Sequence, residues 1–459
     1  MKQQVVFSRI AAGFILLSAV IASFGPAVVP TSTANALGLT IFTIGFWAAG
    51  VLPEYLTSLA FFVLAMLFSV SPAHVVFSGF ASSVVWLVFG GLLLGAAIRR
   101  TGLGERIASR LALKFGKTYA SIITGMVVVG MALSFLIPAA VSRVILLTPI
   151  ASALAERFGF REGSKGHAGI LMATVFGTFL PAFAVLPANA PNLVLAGAAE
   201  TLYGFTPGYG EYLWLHFPIL GLLKAVLLIG LILQLFSGRP AINRPNEKLR
   251  APMSVEEKRL AVILALTIGF WLTDFWHHIP PAWIGLSAGV ACLLPVFELV
   301  PPREFRQEVN FGTVIFLAGI IGFSAMLSDT GIGDRMAEFL LAVLPLKPDA
   351  PILNYASITI ATFLTGIATT LPAAPAVLTP LAAEMAQAAA LPVQTTVMIQ
   401  VVGFSLLLFP YQAPPVVLAI QMGGLKPKAA VQFLILMTLV SILVLLPINY
   451  LWWRLTGWI

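Results

Sequence analysis

Apolar stretches long enough to cross a lipid bilayer follow one another along nearly the whole chain. An apolar helix of about 20 residues spans the hydrocarbon core, and unpaired backbone there is too costly for open structures. Stretches near 8–25, 37–53, 56–73, 80–99, 168–198, 212–236, 259–276, 281–300, 309–328, 394–421 and 428–452 therefore read as membrane helices. Only 10% of the 459 residues are charged, against 59% apolar, whereas a soluble domain carries about 25% charged residues. A string of water-soluble domains is excluded. The formal charge of +8 calls for no nucleic-acid partner, because the cytoplasmic loops of multispanning proteins collect Lys and Arg. The single cysteine, Cys292, leaves no intramolecular disulfide.

Two more apolar stretches, 118–155 and 352–387, are too long for one crossing. Pro138 and Pro149 interrupt the first; Pro372, Pro375 and Pro380 interrupt the second. Each is predicted to be a re-entrant hairpin that enters the membrane and returns on the same side. The expected fold is an all-α polytopic membrane protein with about 11 transmembrane helices plus the two hairpins. Lys2, Arg9, the apolar run after them and Thr33-Ala34-Asn35-Ala36 imitate a cleavable signal peptide. A retained first helix fits better, because the next span begins at once.

Charge placement sets the expected orientation. Arg99, Arg100, Arg106, Arg110, Lys114 and Lys117 follow the fourth span, and Arg239, Arg244, Lys248, Arg250, Lys258 and Arg259 fill the segment 237–259. With a cytoplasmic N-terminus both clusters lie inside if the first hairpin enters and leaves there. The segment 329–350 has Asp329, Asp334, Glu338 and Asp349 against Arg335 and Lys347, and then falls outside. A multi-pass protein of the bacterial inner membrane is the expected setting.

The chain also repeats itself. Thr101-Gly102-Leu103-Gly104-Glu105-Arg106-Ile107-Ala108 returns as Thr330-Gly331-Ile332-Gly333-Asp334-Arg335-Met336-Ala337, at an offset of 229. Leu147-Thr148-Pro149-Ile150-Ala151 returns as Leu378-Thr379-Pro380-Leu381-Ala382, at 231. The expected division is a first half, 1–236, a cytoplasmic linker, 237–258, and a second half, 259–459. The two amphipathic segments fall on opposite sides, so the halves are expected to be inverted-topology repeats around a midplane site.

Pro181, Pro187 and Pro191 interrupt the span 168–198, and Pro410, Pro414 and Pro415 interrupt 394–421. Proline removes a donor and frees a carbonyl of the preceding turn. Irregular backbone at membrane depth is tolerated where it is buried in protein or lines a cavity. Leu186-Pro187-Ala188-Asn189-Ala190-Pro191-Asn192 and Phe409-Pro410-Tyr411-Gln412-Ala413-Pro414-Pro415-Val416 are thus candidate binding loops, with simple kinks as the plain alternative.

With these features in place, nearly the whole chain resembles the divalent anion:sodium symporter family of the ion-transporter superfamily. The family hairpin motif Pro-Ser-Asn-Thr-Ala-Arg, followed by Pro-Ile, is matched by Pro138-Ala139-Ala140-Val141-Ser142-Arg143 and Pro149-Ile150. Its Thr-Pro-Pro-Asn loop corresponds to Ala413-Pro414-Pro415-Val416, and its first-half counterpart ends here in Pro191-Asn192. The resemblance implies scaffold and transport domains, a homodimer and an elevator movement. It also marks departures. Ala139-Ala140-Val141 lacks the hydroxyl and amide oxygens that help hold sodium in the family, and the second hairpin keeps only Thr370-Leu371-Pro372, with Thr369 adjacent. Ala413 and Val416 lose further polar atoms. Coupling to protons or to a counter-anion is expected in place of sodium.

Two cations lie deep within apolar runs, where a charge costs roughly 2.5–3.5 kcal/mol on insertion scales. Arg143 matches the family arginine and has a fork suited to a carboxylate or sulfate; the other reading is a brace on carbonyls or helix ends. Lys224 is open to three readings: a proton carrier, a fixed positive charge where sodium serves elsewhere, or the lining of a wet crevice. No carboxylate sits clearly mid-span, which weighs against a cation/proton antiporter. His277 and His278 sit among Trp271, Trp276 and Trp283 and read as an interfacial belt before a metal site. No HExxH, CxxC, P-loop or GxSxG in a suitable context points to a hydrolase or an ATP-driven pump.

The expected activity is secondary transport of small anions, dicarboxylates first among them, with no enzyme activity, cofactor or metal. Substrate contacts are expected from Ser142, Arg143, Asn189, Asn192, Thr369, Thr370 and Gln412, with Lys224 as the coupling candidate. A cation/proton antiporter, a sulfate or other inorganic-anion transporter, and a receptor or enzyme on the same fold are the alternatives.

Overall fold

The computed structural model describes residues 12–13, 15–20, 31–114, 118–137, 140–239 and 252–459. Most of the first expected span, the hairpin residues Pro138 and Ala139 and most of the linker lie outside these. Among the described residues the protein is helical, with no strand.

The helices of the first half are α1 (Thr31–Ala49), α2 (Glu54–Leu67), α3 (Ser83–Thr101), α4 (Leu103–Lys114), α5 (Tyr119–Leu136), α6 (Ala140–Arg157), α7 (Lys165–Phe179), α8 (Ala190–Tyr203) and α9 (Tyr209–Leu235). Those of the second half are α10 (Val255–Leu272), α11 (Pro281–Leu293), α12 (Pro302–Glu308), α13 (Phe311–Asp329), α14 (Ile332–Val343), α15 (Pro351–Ala368), α16 (Ala373–Ala389), α17 (Val393–Phe404), α18 (Pro414–Met422) and α19 (Pro427–Leu455). Seven of these are long and apolar enough to cross a membrane: α3, α5, α9, α13, α15, α19 and the stretch Lys165–Ala184 that contains α7. The bent pair α16–α17 makes an eighth, its parts meeting at 116°. The expected spans 56–73 and 281–300 are the shorter α2 and α11.

Local chemistry explains where helices begin. The Ser164 hydroxyl accepts from the His167 N–H and starts α7. Thr118 and Ser121 form a reciprocal capping box at α5, as do Ser254 and Glu257 at α10. Such caps satisfy N–H groups that the first turn leaves without a partner. Glu257 also accepts from Arg106 Nε at 2.6 Å, which ties α4 to α10 and holds its carboxyl below the usual range. Gly102 and Gly331, the TG glycines, have φ of 72° and 69°. Each turns the chain from a long helix into a 12-residue helix, α4 or α14.

Packing follows the same order in both halves. α3 packs on α11, and α13 packs on α2. A side chain on Gly90 of α3 would come within 2.5 Å of the Gly285 carbonyl, and one on Gly319 of α13 within 2.4 Å of Ser58. Small residues let membrane helices approach to backbone contact, and Gly90 and Gly319 share the 229-residue offset of the TG turns. The hairpin arm α5 packs on α7, and its counterpart α15 packs on α17. Beyond the breaks the pairing crosses over: α8 packs on α16, and α18 packs on α6.

Proline placement divides by position. The break Leu180–Asn189 consists of two 3-10 turns, and the second break, Ser405–Ala413, holds one at Pro410–Gln412. Pro149, expected to interrupt its hairpin, sits inside α6, which continues through it. Its missing donor is tolerated because α6 is flanked by α5, α7 and α18.

Candidate substrate site

Both hairpins and both breaks converge on one cavity of about 240 Å³, the volume of about eight water molecules. Its walls include Val88 and Leu92 of α3, Phe316 of α13, Phe179, Leu193 and Leu371. Ser142, Asn189, Thr313 and Gln412 are polar residues along it, and Glu54, Arg99, Glu308 and Asn310 also line it.

Backbone contributes to the field in this space beside Glu54, Arg99 and Glu308. Ala140 and Val141 at the start of α6, Ala190 and Pro191 at the start of α8, and Pro414 and Pro415 at the start of α18 all line the cavity. Pro372, the residue before α16, lines it too. Four half-helices thus begin at one place, and a helix N-terminus carries roughly half a positive charge. Such ends favour anions without any charged side chain.

The expected site residues separate into those that face the cavity and those that hold its walls. Ser142 faces it, and its hydroxyl accepts from Arg99 Nη1 at 3.0 Å. Asn189 and Gln412 line it, but their amides are bound inward. The Asn189 amide donates to Phe179 O at 3.3 Å. Gln412 accepts from the Leu408 and Phe409 N–H groups at 3.0 and 2.8 Å and donates to Gly366 O at 3.0 Å. Its own carbonyl accepts from Leu371 N at 3.1 Å, joining the second break to the second hairpin. Thr369 turns back to donate to Thr365 O at 2.7 Å, and Thr370 caps the start of α16 through its carbonyl. Neither threonine lines the cavity.

Arg143 lies behind the wall, fully buried. Its Nη1 donates to Ile137 O at 2.6 Å and Ala188 O at 3.0 Å; its Nη2 donates to Thr178 O at 3.4 Å and Asn189 Oδ1 at 3.3 Å. Through these bonds the guanidinium joins the end of α5, the last turn of α7 and the break. Asn192 is also buried, donating to Phe183 O and Val185 O at 3.1 and 3.0 Å. Lys224 sits at the other break, on Ser405.

Arg99 and Glu308 line the cavity, although sequence reasoning assigned the first to topology and passed over the second. Arg99 Nε pairs with Glu308 Oε2 at 2.9 Å while its other arm reaches Ser142. Arg99 is the basic residue of its cluster nearest the membrane, which was the available signal. The described residues contain no group of three or more His, Cys, Asp or Glu able to hold a metal ion.

The described residues are all-helical, with helices long and apolar enough to cross a membrane, and relatives of the chain include transporters: the protein is a secondary transporter. The chain belongs to the citrate transporter family, matching it over residues 39–408. It is 25% identical to a membrane protein of Cupriavidus necator over 83% of this chain and 77% of that one. An uncharacterized transporter of Haemophilus influenzae is 21% identical over 91% and 92%. The sodium-dependent dicarboxylate transporter SdcS of Staphylococcus aureus is 20% identical over 71% and 68%. These matches agree with the resemblance to the divalent anion:sodium symporters. The crystal structure of the Alcanivorax borkumensis YdaH transporter has the same fold at a TM-score of 0.52 and 16% identity, covering 94% of this chain and 99% of that one.

Proposed function

We propose that this protein moves small carboxylate anions, dicarboxylates or citrate-like acids, across the membrane by an elevator-type movement. The observation that carries the reading is the convergence of four half-helix N-termini on one cavity, with Arg99 beside it. Helix ends supply positive potential, and a cavity of about 240 Å³ suits a small acid better than a drug-sized ligand, whose pockets run about 300–1,000 Å³. The names of its relatives, a citrate transporter family and a dicarboxylate transporter, point to the same substrate class.

An elevator needs a unit that slides against a fixed one. Crosswise packing of hairpins and broken helices supports one unit, and the glycine contacts α3–α11 and α13–α2 support the other. The paired element order supports inverted repeats. With the N-terminus cytoplasmic, Glu54, Arg99 and Glu308 fall on the cytoplasmic side, which favours an inward-facing cavity. We assign coupling to protons or a counter-anion, and the homodimer and bacterial inner membrane to the family resemblance. The site residues in this reading are Ser142, Asn189 and Gln412 at the cavity, with Arg143, Asn192, Thr369 and Thr370 shaping it.

Uptake of labelled succinate, citrate and sulfate into proteoliposomes, with sodium, pH and internal anion varied separately, tests the proposal. Saturable carboxylate uptake driven by a proton gradient or internal anion is expected. Acid release driven by external sodium or potassium, with no anion flux, would establish the antiporter instead.

A further inference from the structure

Lys224 follows the wide π-turn Phe217–Leu223 of α9 and is buried. Its ammonium donates to Ser405 O at 2.7 Å and lies 3.4 Å from Ser405 Oγ. The Ser405 hydroxyl donates its own proton to Val402 O at 2.8 Å, so its oxygen meets the ammonium as an acceptor. The Phe183 ring lies 5.9 Å from the nitrogen, within range of a cation–π contact. Among the described residues no carboxylate stands at ion-pair distance from Lys224.

What surrounds this nitrogen is therefore a carbonyl, a hydroxyl oxygen and a ring. These are groups that attract a monovalent cation, and they sit where one is wanted. Ser405 caps the C-terminus of α17, the first part of the second broken helix. The end of a helix carries the negative pole of its dipole. In transporters with discontinuous helices, the C-terminal ends of half-helices and the unwound carbonyls hold the coupling cation.

We propose that the Lys224 ammonium is a tethered cation in a monovalent-cation position at the end of α17, so the second break has its positive charge built in. The chain then needs no soluble cation at that position. The proposal deepens the transport reading, and it rests on that reading only for its flux measurement.

The test compares wild type, K224A and K224M. Alanine empties the position and leaves the oxygens of Ser405 exposed to it, whereas methionine fills the space without charge. Unfolding temperature in detergent and anion uptake in proteoliposomes are measured in choline, sodium, lithium and methylammonium chloride at equal ionic strength. Wild type is expected to behave alike in choline and sodium. K224A is expected to lose roughly tenfold or more of its uptake in choline. Sodium, lithium or methylammonium should restore part of that loss and raise the unfolding temperature of K224A by several degrees, as a ligand of the native state does. K224M should lose as much and gain nothing from any cation.

A sodium-dependent rise in wild-type unfolding temperature that K224A abolishes would overturn the proposal. So would K224M transporting like wild type, or K224A failing to respond to any cation in both measurements. The unfolding measurement needs no flux, so failure of the transport reading is seen separately as absent uptake by wild type while the unfolding temperature of K224A still shows the expected cation response.

Discussion

The two breaks serve matching places in the two halves, yet they are held in different ways. Leu180–Asn189 is buried throughout, and Arg143 of its own half binds it with a planar fork. Ser405–Ala413 is buried only at its ends, with Tyr411 exposed, and Lys224 reaches it from the other half with a single point charge. A guanidinium offers five donors in fixed geometry and an ammonium three movable ones. The first break is thus a fixed floor clamped at several carbonyls. The second is anchored by Lys224 at Ser405 and by Gln412 to Gly366 and Leu371, and only its middle, at Tyr411, reaches open space, so that middle is the part of the cavity wall freest to change shape.

Removing the fork is the harshest way to break this contrast. R143A strips a donor from the buried carbonyls of Ile137, Thr178 and Ala188, and we expect a loss of roughly 3–5 kcal/mol, seen as a lower unfolding temperature in detergent. R143K should recover less than half of that loss, because one ammonium cannot reach all three carbonyls; full recovery would show that planarity is irrelevant here. A smaller effect is expected at the second break. Q412A leaves the Leu408 and Phe409 N–H groups and Gly366 O without their partner, worth roughly 1–3 kcal/mol. Anion uptake should fall about tenfold while the protein stays folded, since the damage lies in the looser wall. Y411F should change least. It removes one hydrogen bond to Ile367 O from an exposed ring, worth about 1 kcal/mol or less. A loss of uptake as large as that of Q412A would show that the exposed side of this break is as tightly held as the buried one.

Much of the architecture was legible in the residues. Proline clusters marked both breaks because a missing N–H acts on its own turn, and both TG glycines take the left-handed backbone such a turn requires. What stayed hidden was direction. Ser142 and Arg143 are neighbours, about 100° apart around a helix, and only packing against α7 decides that the serine faces the cavity while the arginine faces carbonyls. Arg99 looked like a topology signal because its reach to Ser142 runs from α3 to α6, helices distant in the chain. Pro149 looked like a breaker because helices that flank α6 do not appear in local sequence.

The π-turn at Phe217–Leu223 has its own consequence for Lys224. A π-turn takes up about one residue more than an α-turn, so this stretch accommodates an extra residue without turning the helix beyond it. Deleting one residue would let it close to ordinary α-helix with Lys224 still directed near Ser405, whereas inserting one more would turn the lysine by about 100° toward neighbouring helices or lipid. Where this charge points therefore depends on how many residues one short stretch of α9 holds.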